Sequence, residues 1–306
     1  MVEIYGYYLS HKQTSQSSLN RFSGHLGRVL PTWLELKADG SLLVQSSESE
    51  LALVKDLVPV NKVIPVLRNH GLDSRVSNKI ITNPQSWQSI LEQLLSYLEP
   101  YSFPGINFDL EGIDPDYSSE LTNFLTLMAR GLTDNGYKIS LSLPARCADL
   151  TSGWSGAYNY RELGQLACEI IIMAYDYHWA AGPPGPIAPI DWVRDVIDYA
   201  LIKIPSGKII LGIPCYGYDW SLDTDSRARG LSYNQVIQLT EKYRGELEYI
   251  EEFAAPCLTY TTEGSRHQVW FEDKQSLKVK FRLAADFQLP AVALWRLGLE
   301  DEQIWR

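Results

Sequence analysis

Asn107, Asp109 and Glu111 stand at a spacing of two within the run Phe103-Pro104-Gly105-Ile106-Asn107-Phe108-Asp109-Leu110-Glu111-Gly112-Ile113. Read as a strand, the run alternates: Asn107, Asp109 and Glu111 share one face, and Ile106, Phe108 and Leu110 share the other. The apolar face asks for a layer of helices, so the polar face points inward. Buried carboxylates are costly unless paired, hydrogen-bonded or neutral, so this stack needs a reason. A polar core network, or a strand end leaving the sheet, is the bland one. The chemical one starts from Glu111, whose pKa would be raised by partial burial and a second carboxyl nearby. A Glu still protonated at working pH is a general acid for a leaving glycosidic oxygen. Asp109 lies about 6–7 Å back along the strand, on the same side of any bound sugar. It is poorly placed to attack from the opposite face, as a retaining nucleophile must. If the reaction is glycoside cleavage, the substrate's own 2-acetamido oxygen is the documented alternative. Asp109 would then orient the acetamido N–H and stabilise the oxazolinium charge.

Such a constellation needs a scaffold that presents strand ends. Short, nearly continuous apolar segments at 2–8, 28–34, 62–67, 105–111, 138–144, 169–175, 208–214 and 291–295 read as strands covered on both faces. Between them, Trp87, Ile90, Leu91, Leu94, Leu95 and Leu98 recur at helical spacing after the cap and first-turn pair Asn83-Pro84. Trp192, Val193, Val196, Ile197, Ala200 and Leu201 do the same behind Asp191, a candidate cap. A further helix over 118–132 follows Asp114 and Asp116, which read as caps rather than catalysts. Eight strands with helical crossovers predict an α/β protein, a (β/α)8 TIM barrel. No GxGxxG follows the first strand, as an open dinucleotide-binding sheet would want. Residues 222–273 do not fit one strand–helix unit; a helix around Tyr233, Val236, Ile237 and Thr240 and strand-like pieces at 248–253 and 268–271 predict a small α+β insertion between the seventh strand and its helix. The whole of 1–306 is then one catalytic barrel carrying that insertion.

Composition narrows the partners. The 306 residues carry 27 Lys and Arg against 37 Asp and Glu, a net charge of −10, which argues against nucleic acid and anionic membrane surfaces. No apolar run is long enough to span a bilayer, and the first residues show no signal-peptide pattern. Cys147, Cys168, Cys215 and Cys257 form no CxxC pair and read as buried free thiols. His178, in the loop after the sixth strand, reads either as a substrate contact or as a solvated loop residue; His25, His70 and His267 share no ligand spacing, so neither a metal nor another cofactor is expected. Of the nine Trp and eighteen Tyr many must be core, and a surplus at one mouth of the fold would suit a sugar ligand, because aromatic faces stack on pyranose rings.

The run from Gly105 to Glu111 resembles the fourth-strand DGxDxDxE motif of family 18 glycoside hydrolases, the chitinase-like barrels. Gly6-Tyr7-Tyr8, Met173-Ala174-Tyr175-Asp176 and Trp295 agree in order with its first, sixth and eighth strands. Three stretches are similar to the spore-associated, cortex-lytic N-acetylglucosaminidase branch: 182–189, 212–220 and 295–301. The resemblance implies that Glu111 is the general acid/base, Asp109 the acetamido partner and Tyr175 the donor to the acetamido carbonyl. It implies substrate contacts at Asn107, Asp176, Met173, Tyr7 and Trp220, and a hydrophobic subsite floor at Trp295. Two positions depart from the motif, Pro104 and Asn107 standing where it has Asp. Pro104 enters at a strand start, where proline is tolerated; Asn107 removes a charge beneath Asp109 but keeps an amide able to hydrogen-bond it. The expected substrate is a β-linked N-acetylglucosamine glycan, spore cortex peptidoglycan first and chitin oligosaccharides second, cleaved by a monomer with a spore or cell-wall association. The alternative is a lectin-like member that keeps the cleft without turnover; such members usually lack the acid that Glu111 supplies.

Overall fold

The computed structural model describes residues 2–224 and 226–306. Parallel strands Glu3–Tyr8, Arg28–Pro31, Val66–Asn69, Gly105–Asp109, Lys138–Pro144, Glu169–Met173, Ile209–Pro214 and Ala291–Trp295 form a curled sheet. The second strand is broken at Thr32-Trp33 and resumes as Leu34–Leu36, which pairs in parallel with Val66–Asn69 and carries the antiparallel edge strand Leu42–Val44. A bridge between Val29 and Val63, with the Ile64 N–H donating to the Val29 carbonyl at 2.9 Å, brings the second strand against the third. The result is a (β/α)8 barrel, the predicted class.

Two apolar layers follow from the strand period. Tyr5, Tyr7, Leu30, Ile64, Val66, Ile171, Ile210, Ala291 and Ala293 form a cluster of their own, the barrel lumen, with Trp295 packed on it. The alternate residues, Ile106 and Phe108 among them, join the larger cluster under the helices. Helix Pro84–Leu98 buries Trp87, Ile90, Leu91, Leu94, Tyr97 and Leu98. Trp87 and Phe108 both meet Phe124 of helix Ser118–Asp134 edge-on. Each such side chain fully buried contributes about 1.5–3 kcal/mol. Gly105 opens the fourth strand because a Cβ there would sit 2.0 Å from the Lys138 carbonyl oxygen of the neighbouring strand.

Several local expectations differ. The Asn83 side chain makes no capping bond, although Pro84 opens the helix. Pro189 occupies the cap position of helix Ile190–Lys203, which leaves Asp191 in its first turn. Asp114 does cap, accepting from the Asp116 N–H at the short turn Pro115–Tyr117. Cys147 and Cys168 are exposed; only Cys215 and Cys257 are buried.

Between Ile209–Pro214 and helix Lys274–Asp286 the chain builds a second sheet of five antiparallel strands, Tyr216–Ser221, Arg229–Ser232, Glu246–Ile250, Ala255–Thr262 and Ser265–Trp270. Helix Tyr233–Tyr243 packs on one face through Val236, against Leu231, Leu258 and Val269, and starts from a capping box between Ser232 and Gln235. The other face carries Trp220, Cys257 and Trp270, covered by Ala180 from the loop after the sixth barrel strand. The second sheet therefore stands as one wall over the C-terminal ends of the barrel strands.

Candidate active site

The fourth strand ladders as far as Asp109; Leu110 and Glu111 lie beyond it. What holds Glu111 is instead a set of bonds to its backbone. Its N–H donates to Asn69 Oδ1 at 2.9 Å, its carbonyl accepts from Ser77 Oγ at 2.6 Å, and the Leu110 carbonyl accepts from the Tyr158 hydroxyl at 2.8 Å. Gly112 then takes φ +69°, turning the chain away where Cβ-bearing residues are strained. The Glu111 side chain is thus directed by three neighbouring elements rather than by a strand ladder.

Beneath it, Asp109 is 3% exposed and its Oδ1 has no hydrogen-bond partner among the described residues. Burial pushes its carboxyl up to about 6, against the pull of Arg68. Burial and the Asp109 charge push Glu111 further, to about 8, with Arg68 opposing and Asp176 adding. The cleft therefore favours one proton on the pair near neutrality, held at Glu111. Asn107 does not reach Asp109 as expected. Its Nδ2 donates to Ser140 Oγ at 3.1 Å and its Oδ1 accepts from Ser142 Oγ at 2.9 Å, with the Tyr7 hydroxyl 2.7 Å from Ser142 Oγ. That chain of bonds ties the first, fourth and fifth strands across the lumen.

The other walls carry phenols and an indole. Tyr7 meets Trp295 edge-on at 5.0 Å between centroids. Tyr175 lies two residues past the end of the sixth strand, its phenol held protonated by burial and by the charges of Asp109, Glu111 and Asp176. Tyr7 is held protonated by burial, Asp109 and Glu111. Asp176, at φ +61°, accepts from the hydroxyls of Tyr216 and Tyr218, which reach it from the second sheet. Burial nevertheless keeps its carboxyl above the usual range. Met173 ends the sixth strand, paired with Pro144 and Gly212 and half-buried.

This geometry meets an independent finding: the family model for glycosyl hydrolases family 18 matches residues 4–300. The chain belongs to glycosyl hydrolase family 18. It is 31% identical over 248 residues to the cortical fragment-lytic enzyme of Bacillus subtilis, covering 79% of this chain and 58% of that protein. The spore cortex-lytic enzyme SleL of Bacillus megaterium superposes with a TM-score of 0.89 at 29% identity, over 99% of this chain and 72% of that one. A chitinase from Chromobacterium violaceum gives a TM-score of 0.91 at 25% identity, over 100% of this chain and 97% of that one. The chain is accordingly a family 18 glycosidase, close to the cortex-lytic enzymes, in a family that acts on N-acetylglucosamine-containing glycans.

Within this family 18 barrel the structure gathers Tyr7, Asn107, Asp109, Glu111, Met173, Tyr175, Asp176 and Trp295 at one end of the lumen. Trp220 is the exception. It is 3% exposed, its indole N–H donates to the Gly182 carbonyl at 3.0 Å, and its ring backs Tyr218 edge-on. It supports the wall that holds Asp176 instead of facing the cleft. Sequence reasoning missed Arg68, which falls one residue beyond the expected third strand, and the tyrosines of the second sheet. Ser140 and Ser142 were open to it, since they repeat the polar spacing of two inside an apolar strand. Among the described residues no group of three or more His, Cys, Asp or Glu side chains is placed to hold a metal.

Proposed function

We propose that this family 18 barrel hydrolyses β-linked N-acetylglucosamine glycans with retention of anomeric configuration, the substrate's acetamido oxygen acting as nucleophile. The observation that carries the reading is the pair itself: Glu111 two residues beyond a buried Asp109 whose Oδ1 has no partner among the described residues, with burial and the Asp109 charge favouring a protonated Glu111. Glu111 gives its proton to the glycosidic oxygen as the C1–O bond breaks, and the acetamido oxygen closes on C1. Asp109 accepts the acetamido N–H and balances the oxazolinium charge, which develops in the transition state and so rewards a fixed partner. The Tyr175 hydroxyl holds the acetamido oxygen on the reacting face, and Trp295 supports the ring. The Glu111 carboxylate then takes a proton from water, whose oxygen reopens the ring from the face the aglycone left. Asp176 is committed to two tyrosine hydroxyls, which supports a binding role over a nucleophilic one.

Spore cortex peptidoglycan is the favoured substrate, supported by the names of the relatives, with chitin oligosaccharides as the second candidate. Product analysis on cortex fragments and chitin oligomers side by side, with the anomer read by NMR in early turnover, tests both parts. Retained product and inhibition by a thiazoline analogue of N-acetylglucosamine are expected. Inverted product, or a sugar trapped covalently on a side chain, would sink the scheme.

A further inference from the structure

The Asp109 carboxylate lacks what normally keeps a buried carboxylate charged. Its Oδ1 is buried without a hydrogen-bond partner among the described residues, and the Asn107 amide beneath it is committed to Ser140 and Ser142. Yet the proposed chemistry needs it ionised. The group in position to do this comes from the next strand. Arg68 is the register partner of Asp109 on Val66–Asn69, and it continues the inward series Ile64, Val66, Arg68. Adjacent strands lie about 4.8 Å apart, and the Arg68 charge acts on the Asp109 carboxyl to lower its pKa. The side chain is 15% exposed and its Nε is buried without a partner.

The far side of Arg68 is equally informative. Glu35, the register partner of Arg68 on Leu34–Leu36, accepts from Arg68 Nη2 at 2.7 Å, and its other oxygen lies 2.7 Å from His70 Nδ1. Strand order and register place Glu35, Arg68 and Asp109 in sequence across the sheet, with the Arg68 position between the two carboxylates. We propose that Arg68, anchored on Glu35, is the positioning residue that keeps Asp109 ionised beside a protonated Glu111, in place of the hydrogen-bonding partner Asp109 lacks. This rests on the reading of Asp109 and Glu111 as the catalytic pair.

The surroundings of Asp109 leave this work to Arg68. Its own strand offers Glu111, a like charge when ionised, and neutral Asn107. The first strand offers Tyr7, the fifth only the Ser140 and Ser142 hydroxyls, and the loop before helix Tyr160–Leu166 offers Tyr158. The chain after the sixth strand brings Tyr175 and Asp176. None of these is a cation; Glu35 and His70 lie behind Arg68. Burial raises Asp109, and among the described residues Arg68 is the group that acts to lower it.

A titration free of substrate decides the matter. The Asp109 carboxyl is followed by carbon NMR in a Glu111→Gln background, which removes the coupled proton. Adding Arg68→Gln is expected to move the Asp109 midpoint up by about one unit, and adding Arg68→Lys to leave it near the parent. An unmoved midpoint in Arg68→Gln overturns the proposal. Arg68→Met, which fills the same space without charge, takes its place if Gln does not fold. With Glu111 intact, the acidic limb of kcat/KM on chitotetraose moves alkaline in Arg68→Gln and returns with Arg68→Lys. A loss uniform in pH would mark Arg68 as merely structural. If the parent cleaves no N-acetylglucosamine glycan, the functional reading fails, and the titration still judges Arg68.

Discussion

As the proposed general acid, Glu111 would hold a proton against neutral solvent and surrender it within a turnover, and burial beside Asp109 favours the protonated form. The same feature makes its effects separable. Glu111→Gln keeps the shape and the backbone bonds to Asn69, Ser77 and Tyr158, so sugar binding persists while turnover falls ~10²–10⁴-fold, the range typical of a lost general acid. The substitution also bears on stability. A carboxyl whose folded pKa lies above its unfolded value costs the fold nothing while protonated in both states, and more as pH rises towards the folded value. Thermal melting should show almost no gain for Glu111→Gln at about pH 4 and a gain of several degrees by about pH 9. Equal melting temperatures at both ends would remove the case for a strained acid. In the parent enzyme, kcat/KM should rise as Asp109 loses its proton and fall as Glu111 does, a bell with limbs near about 6 and about 8. Those limbs belong to the pair jointly. Asp109→Asn should lower kcat and kcat/KM alike, because its partner charge exists only in the transition state; a pure KM effect would make it a ground-state contact.

At the scale of elements, the Glu111 backbone is held by the end of the third strand and the helix after it. Asn69 is fully buried, gives its Nδ2 to the Asp73 carbonyl at 3.1 Å and takes the Glu111 N–H on its Oδ1. Asn69→Ala leaves a buried N–H unpaired and frees the segment after Asp109. Small misplacements of a catalytic group can cost up to about 10²-fold, so kcat is expected to drop tenfold or more with KM little changed. A selective rise in KM would place Asn69 in binding instead. The strand ends explain why this was hard to read from sequence. Apolar alternation continues through Leu110 and past Met173, yet the ladders stop at Asp109 and Met173. Glu111 leaves the ladder because side chains, not a neighbouring strand, satisfy its backbone.

At the scale of the molecule, the second sheet and the barrel share the cleft through Tyr216, Tyr218 and Asp176, so their junction must be rigid. Lys280, on the helix that returns to the barrel, donates to Glu272 at 2.8 Å, and both side chains are essentially unexposed. Such a pair adds little over an apolar isostere, but breaking it strands a charge. Lys280→Met alone should cost about 3–5 kcal/mol in denaturant unfolding, and Glu272→Leu added to it should recover much of the loss. Additive losses in the double variant would show that the two do not act as a pair. No helix among the described residues is long and apolar enough to cross a membrane.

The sequence by itself determined which way side chains face. Strand period is a property of the local backbone, so Asn107 and Asp109 share the inner face whatever surrounds them, and the alternation of apolar strands and helices calls for a closed barrel. Only the tertiary structure decided which partner each inward group met. Asn107 is bonded across to Ser140 and Ser142 and not along its strand to Asp109; Trp220 backs Tyr218 in a core that forms only when the second sheet folds against Ala180; Arg68 is the register partner of Asp109 because two distant stretches of chain are laid side by side as strands. Direction is encoded over two or three residues, whereas partnership depends on the closure and stagger of the whole barrel.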